Sequence, residues 1–201
     1  MEFREVVRRR RMVRNYDADR PVPPEVRERI LAHALRAPSA GFSQGWGFLV
    51  LESEADRDRF WRAATPPDQP QQRWLVSMRR APLIIVVHSN KRVYLDRYAE
   101  PDKGWTDRDE RRWPVPYWHI DAGFASLLML LTAVDEGLGA CFFGIPPERI
   151  DQYRSEFGVP AEYSPIGAVS MGYPAPDHRS PSLRRGRRPL DEVVHRGQWR
   201  V

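Results

Sequence analysis

The sequence predicts one domain of mixed helices and strands, and three observations carry that reading. Four short β-type runs, 47–51, 83–87, 139–144 and 166–171, are separated by segments whose apolar residues recur at helical spacing. A helix that is apolar nearly all round, Trp118 to Glu136, lies between the second and third runs. The 201 residues show no linker, repeat or composition break, and at that length a single core buries roughly 70% of the extended chain's surface.

Each element has a local cause. Phe3, Val6 and Val7 at helical spacing predict a short helix from residue 2 to about 11. Residues 16–24 form a proline-rich connection ending at Pro24, a first helical position where a missing N–H costs nothing. Val26, Ile30, Ala34 and Ala37 then mark one helical face, closed by Pro38. Residues 38–46 read as a turn-forming loop feeding the strand 47–51. Ser53 with Asp56 resembles a capping box and starts a helix to about Ala64 that buries Phe60 and Trp61. A further helix is expected at 71–79, and Leu83-Ile-Ile-Val-Val87 suits a central strand buried on both faces.

Residues 89–117 are charge-dense and broken by Pro101, Gly104, Pro114 and Pro116, yet hold Tyr94, Tyr98, Trp105, Trp113 and Tyr117. They read as a long structureless excursion, of the kind that covers a site. In the helix that follows, Ala122, Gly123, Ala125 and Ser126 allow close approach of a neighbour, and Gly137 ends it. A helix apolar on every side needs cover on every side, which a second subunit would supply. Pro147 opens a helix burying Ile150, Tyr153 and Phe157, and residues 175–201 form a basic tail.

The charge pattern narrows the function. The chain carries 32 Lys+Arg against 27 Asp+Glu, and only Lys91 and Lys103 are lysines. Residues 1–14 have a local charge of +4 and residues 179–200 of +5. A nucleic-acid binder spreads its cations along one face with aromatics interleaved; here they sit at two ends, placed to converge on one compact anion. Cys141 is the sole cysteine, which excludes a disulfide scaffold, and the five histidines lack metal-ligand spacing. No signal peptide is visible before Arg14, and the apolar stretch Ile120 to Val134 reads as too short to span a bilayer. A cytoplasmic protein without a membrane partner is expected.

Neither a glycine-rich dinucleotide fingerprint nor a phosphate-binding loop motif is present, nor any serine nucleophile elbow. Cys141, between Ala140 and Phe142, reads as a core thiol, and His119 as a satisfied core histidine. What remains is an anion site at both ends, a Pro-Ser-Ala-Gly-Phe-Ser-Gln loop and a glycine-bounded strand, parts suited to a phosphorylated cofactor.

Five motifs, in order, resemble the FMN-dependent nitroreductase family: Arg10-Arg-Met-Val-Arg14, Ala37-Pro-Ser-Ala-Gly-Phe-Ser-Gln-Gly-Trp46, Gly137-Leu-Gly-Ala-Cys-Phe-Phe-Gly144, Met171-Gly-Tyr-Pro174 and Arg185-Gly-Arg-Arg-Pro-Leu190. The resemblance implies an α+β, three-layer fold with a mixed, mainly antiparallel sheet, built as an intertwined homodimer around FMN, with NAD(P)H as donor and ping-pong electron transfer. It places Arg10, Arg11, Met12 and Arg14 on the phosphate and ribityl chain, with Arg185 and Arg187 closing on the same phosphate. Pro38, Ser39, Ala40 and Phe42 reach the flavin from the second subunit, and the backbone of Phe143, Gly144 and Ile145 faces the ring. Phe42, Trp105, Trp113 and Tyr117 are expected to wall the slot for a planar acceptor.

Met12 stands where the family commonly has Ser or Thr, Phe42 where it has Asn, and Gly45 where it has Pro. The 41–46 variant is similar to the branch that fragments reduced FMN to dimethylbenzimidazole. That branch would place Asp at position 12 and Ser at 144; both are absent. A flavin-sequestering protein without turnover is the other class to distinguish.

Overall fold

The alternation of side chains along each strand sets up three layers. The computed structural model describes residues 1–67, 72–177 and 180–199. Its sheet holds β1 (Trp46–Leu51), β2 (Leu83–Asn90), β3 (Gly139–Phe143) and β4 (Tyr163–Gly172) in the order β1-β2-β4-β3. Every named pairing is antiparallel, and the parallel component is one bridge, Met12 to Ala140, at the outer edge of β3. All eight residues of β2 are buried: Leu83, Ile85 and Val87 point to one face and Ile84 and Val86 to the other.

The first face is covered by α2 (Pro24–Ala34) and α6 (Tyr117–Asp135), the second by α3 (Glu54–Ala64), α4 (Arg73–Met78) and α7 (Ile150–Phe157). The short helices α1 (Phe3–Arg9), α5 (Lys91–Tyr98) and α8 (Leu190–Val193) lie outside these layers or at their ends. Ser53 caps α3 as expected, its Oγ accepting from the Asp56 amide at 3.1 Å.

Several elements differ from the sequence reading, β2 among them, which continues past Val87 to Asn90. α1 buries Val6 alone and leaves Phe3 and Val7 exposed. α2 ends at Ala34, although Ala37 beyond it is still buried. β4 begins at Tyr163, because Ser164 and Pro165 still pair with β2 across a bulge at Val87/His88. The excursion is not structureless: Asn90 caps α5 by accepting from the Val93 amide (3.3 Å), and Tyr94 is buried completely. Gln71, the expected start of α4, lies outside the described residues.

α6 has the 19 residues expected of it, shifted by one position, and with a mean hydropathy of 1.3 it would by length and composition alone pass for a membrane span, although its apolar stretch Ile120 to Val134 reads as too short. Its small residues Ala122, Ala125 and Ala133 are packed into the core beside Met129. The opposite face carries Ile120, Phe124 and Leu127, which are 37%, 42% and 46% exposed.

Candidate cofactor site

Tyr16 anchors the arginine strip. Its ring is fully buried, its hydroxyl donates to the Val13 carbonyl at 2.6 Å, and its oxygen lies 2.8 Å from the Ser170 hydroxyl. Burial raises the Tyr16 pKa above the usual phenol value. The Val13 amide donates to the Ala140 carbonyl (2.9 Å), so residues 10–17 lie along β3 and partly pair its open edge. The chain leaving β4 lies against the same strip. Asp17 N donates to Tyr173 O (2.9 Å), Asn15 Nδ2 to Pro176 O (2.8 Å), and Arg14 N to Asp177 Oδ2 (2.9 Å).

These pairings leave a cavity of about 750 Å³ walled by Arg14, Asn15, Arg73, Trp74, Ser77 and Asp177 among others. Its volume is within the range of cofactor sites. Two guanidiniums and a hydroxyl are the donors a phosphate takes, and Trp74 adds an aromatic face. Asn15 Oδ1 is buried without a hydrogen-bond partner, which leaves an acceptor unspent beside this cavity. FMN, which carries a phosphate, hydroxyl donors and a flat ring, fits these residues.

The flanking positions differ in what they offer. Arg10 is half-buried and Arg11 exposed. Met12 packs between the two apolar clusters and so presents backbone rather than a polar side chain. Phe143 stacks on Trp61 (centroids 5.4 Å apart, planes 8° apart) and Ile145 packs beside it. Gly144 has no atom within 4 Å of where a Cβ would stand, so a flat ring could approach its backbone. Cys141 is buried as expected, and burial raises its thiol pKa.

The loop 38–44 forms a second group. Gly41, Phe42 and Gln44 all have left-handed backbone (φ +61°, +57° and +54°), a conformation that costs a non-glycine residue about 1–2 kcal/mol. Braces from α5 and α6 hold it. The buried Asp121 carboxylate accepts from Ala40 N and from the Tyr94 hydroxyl, both at 2.8 Å, and Arg97 Nε donates to Gly41 O at 2.9 Å. The Tyr98 ring closes on Gly41 so tightly that a Cβ there would lie 2.6 Å away. The result presents Phe42 at 75% exposure, while Pro38 is exposed and Ser39 and Ala40 are half-buried.

The excursion's aromatics stand behind that loop. Tyr98 meets Trp105 and Trp113 with ring centroids 4.9 and 4.5 Å apart, and Trp113 meets Tyr117 at 5.7 Å. Trp105 and Trp113 are therefore half-buried members of a packed cluster, while Tyr117 is exposed. His119 is corrected from core to surface. It is exposed in the first turn of α6, and its Nδ1 lies 2.8 Å from Ser89 Oγ.

The tail does not close on the arginine strip within one chain. Arg185 and Arg187 are exposed, and among the described residues no hydrogen bond or ion pair joins them to residues 10–15. The apolar residues that would seat the tail, Leu183, Leu190 and Trp199, are 68%, 69% and 78% exposed. Sequence reading also missed Arg73, Trp74 and Ser77. Arg73 and Ser77 are four apart on α4, one helical face, but only the fold brings that face to Arg14.

The family described as the Nitroreductase family matches residues 7–173. The 5,6-dimethylbenzimidazole synthase of Rhodospirillum rubrum is 30% identical over 193 residues, covering 88% of this chain and 83% of that protein. An NADH dehydrogenase of Thermus thermophilus is 29% identical over 201 residues, covering 88% and 90%. A nitroreductase-type chain of Desulfovibrio desulfuricans, solved in complex with FMN, superposes with a TM-score of 0.70 at 26% identity, covering 100% of this chain and 99% of that one.

Proposed function

The chain belongs to the nitroreductase family, and from that premise we propose that it is an FMN-dependent oxidoreductase passing electrons from NAD(P)H to a small planar acceptor, nitroaromatic, quinone or enone-like, in ping-pong fashion. It works as a cytoplasmic, intertwined homodimer. The observation that carries this reading is the cavity where Arg14 and Arg73 converge beside the unspent acceptor Asn15 Oδ1.

In this reading Arg14 and Arg73 hold the phosphate, with Arg10 and Arg11 flanking it. Arg185 and Arg187 close on it once the dimer covers the apolar residues of the tail. The backbone at 143–145 faces the ring, and Pro38, Ser39, Ala40 and Phe42 approach it from the second copy. When bound, FMN would supply the redox chemistry between donor and acceptor. The chain's part is to bind, orient and exclude water, and its buried Cys141 thiol takes no part. The exposed α6 face at Ile120, Phe124 and Leu127 supports the dimer, because an apolar stripe of that kind is unfavourable in water.

Similarity to the dimethylbenzimidazole synthase raises flavin fragmentation as a second reading. Met12 offers a packed thioether and Gly144 no side chain, so neither position supplies an acid or a hydroxyl, and aerobic incubation of the reduced holoprotein should yield no dimethylbenzimidazole. The first test is the visible spectrum of the purified protein, with the released chromophore identified by mass and the solution mass measured alongside. About one FMN per chain in a dimer, with turnover on NADH or NADPH, supports the proposal. Bound flavin without turnover on any nicotinamide or deazaflavin donor would mean a sequestering protein. A colourless monomer that FMN cannot reconstitute would overturn the reading.

A further inference from the structure

Beside the aromatic cluster, at the end of the sheet where β2 stops and β4 starts, lies a second cavity of about 490 Å³. Ser89, Lys91, Glu110, Trp113, Trp118 and His119 are on its wall. Lys91 and Glu110 are ion-paired with each other, so they partly cancel. Trp113 and Trp118 contribute indole rings whose centroids are 6.1 Å apart.

Two donors on this wall are not spent on the protein itself: the Trp113 indole N–H, which is buried without a partner, and one ring nitrogen of the exposed His119. Ser89 is 1% exposed, and its hydroxyl hydrogen has two acceptors in reach, His119 Nδ1 at 2.8 Å and the Ser164 carbonyl at 3.5 Å. The 2.8 Å contact has an ordinary hydrogen-bond length and the 3.5 Å contact is at the limit, which favours the tautomer in which the hydroxyl donates to Nδ1. Nδ1 is then an acceptor and the ring proton sits on Nε2, for which no hydrogen bond is found among the described residues. Burial, and then the Lys91 charge, lower the His119 pKa, which favours the neutral ring.

We propose that this cavity binds a flat one- or two-ring compound through a carbonyl or nitro oxygen that accepts from His119 Nε2–H, with Ser89 as the positioning residue that fixes the tautomer. The volume suits one or two rings, the indoles favour a planar apolar body, and the free neutral donor selects an acceptor oxygen. The inference rests on the reading above in naming that compound as the electron acceptor. The Trp113 ring that walls the cavity also packs on Tyr98, which braces Gly41 of the candidate flavin loop. Occupancy here and the position of that loop therefore share one rigid cluster.

The test uses the protein as purified and a redox-inert pair of probes, coumarin and its carbonyl-free counterpart 2H-chromene, titrated by calorimetry. Wild type should bind coumarin about tenfold more tightly, the value of one hydrogen bond. His119→Phe, which keeps a flat ring, should abolish the preference, and His119→Gln, which restores an amide donor, should regain most of it. Ser89→Ala should weaken coumarin two- to threefold, and the ¹⁵N shifts of His119 should move from one tautomer to a mixture. In turnover, His119→Phe should raise KM for a naphthoquinone, and His119→Gln should bring it back most of the way. Equal affinity for the two probes in wild type, or an unchanged preference in His119→Phe, would overturn the proposal. A coumarin preference in a protein that binds no flavin would keep the site and remove the enzyme reading instead.

Discussion

Asp121 is the buried charge on which the loop 38–44 depends, and its removal has a calculable cost. The carboxylate is 3% exposed and accepts two hydrogen bonds at 2.8 Å, from Ala40 N and from Tyr94 Oη. Hydrogen bonds to a charged group are worth about 1.5–3 kcal/mol each. Asp121→Ala removes both and leaves a buried phenol and a backbone amide unpaired, so about 3–5 kcal/mol of stability should be lost. With a urea slope of about 2 kcal/mol per molar, the unfolding midpoint should fall by about 1.5–2.5 M at fixed protein concentration. Tyr94→Phe removes one of the two bonds and should cost about 1.5–3 kcal/mol. Because the Tyr94–Asp121 bond is lost in both single variants, the double mutant should fall well short of the sum of the two losses. An Asp121→Ala midpoint within about 0.3 M of wild type would refute the argument and make the carboxylate incidental to the loop.

Three further outcomes follow from the cofactor side of the molecule and from the buried histidine. Arg14→Ala and Arg73→Ala should each weaken FMN binding about 10- to 100-fold by fluorescence titration, with little change in the melting temperature of the flavin-free protein. Gly139→Ala would set a Cβ 2.7 Å from Val13; it should push the arginine strip off β3, cost about 1–3 kcal/mol, and release flavin during purification. His88 is 4% exposed, with Nδ1 3.2 Å from Gly47 O and Nε2 2.9 Å from Tyr153 Oη. Burial, the main cause, and the nearby Arg154 charge lower its pKa. The unfolded chain thus binds more protons than the folded one below about pH 6.5, so stability is level above that pH and falls on acidification through it. His88→Gln should make the fall between pH 7 and 5 shallower in urea titrations.

What could be read from residues alone was whatever one segment decides. The β-branched run at 83–87, the Ser53 cap, the small-residue face at 122–126 and the buried thiol of Cys141 each follow from neighbours a few positions apart. The two basic ends pointed to an anion site by charge alone; of their arginines the structure brings Arg14 to the candidate cavity and leaves Arg185 and Arg187 exposed. Arg73 and Ser77 escaped notice because their value lies in facing Arg14, which requires the strip 10–17 to lie along β3 and α4 to pack near it. α5 was obscured by its charge density: Lys91, Arg92, Asp96 and Arg97 hide a single deeply buried residue, Tyr94. His119 was misplaced because an apolar helix was read as buried in its first turn too, whereas α6 emerges from the core there.

Among the described residues no hydrogen bond joins the strip 10–17 to the loop 38–44, and in the proposed function the two groups meet across two copies. The loop carries two left-handed non-glycine residues, Phe42 and Gln44, and recruits Asp121, Arg97 and Tyr98 to hold them. Strain of this kind persists where surrounding structure imposes it, and here the outcome of that imposition is an aromatic ring standing in solvent. In the proposed dimer the surface that Phe42 serves lies on the second copy, and the uncovered α6 stripe is where that copy would dock. Phe124→Glu, at the middle of that stripe, should convert the protein to a monomer by light scattering without disturbing the α6 core face, because Phe124 is 42% exposed. The same variant should lose FMN although Arg14, Arg73 and Asn15 are untouched, since half of each ring's enclosure would be gone. A Phe124→Glu monomer that keeps FMN at wild-type affinity would show that the strip and the Arg73 cavity suffice, and that the strained loop has another task.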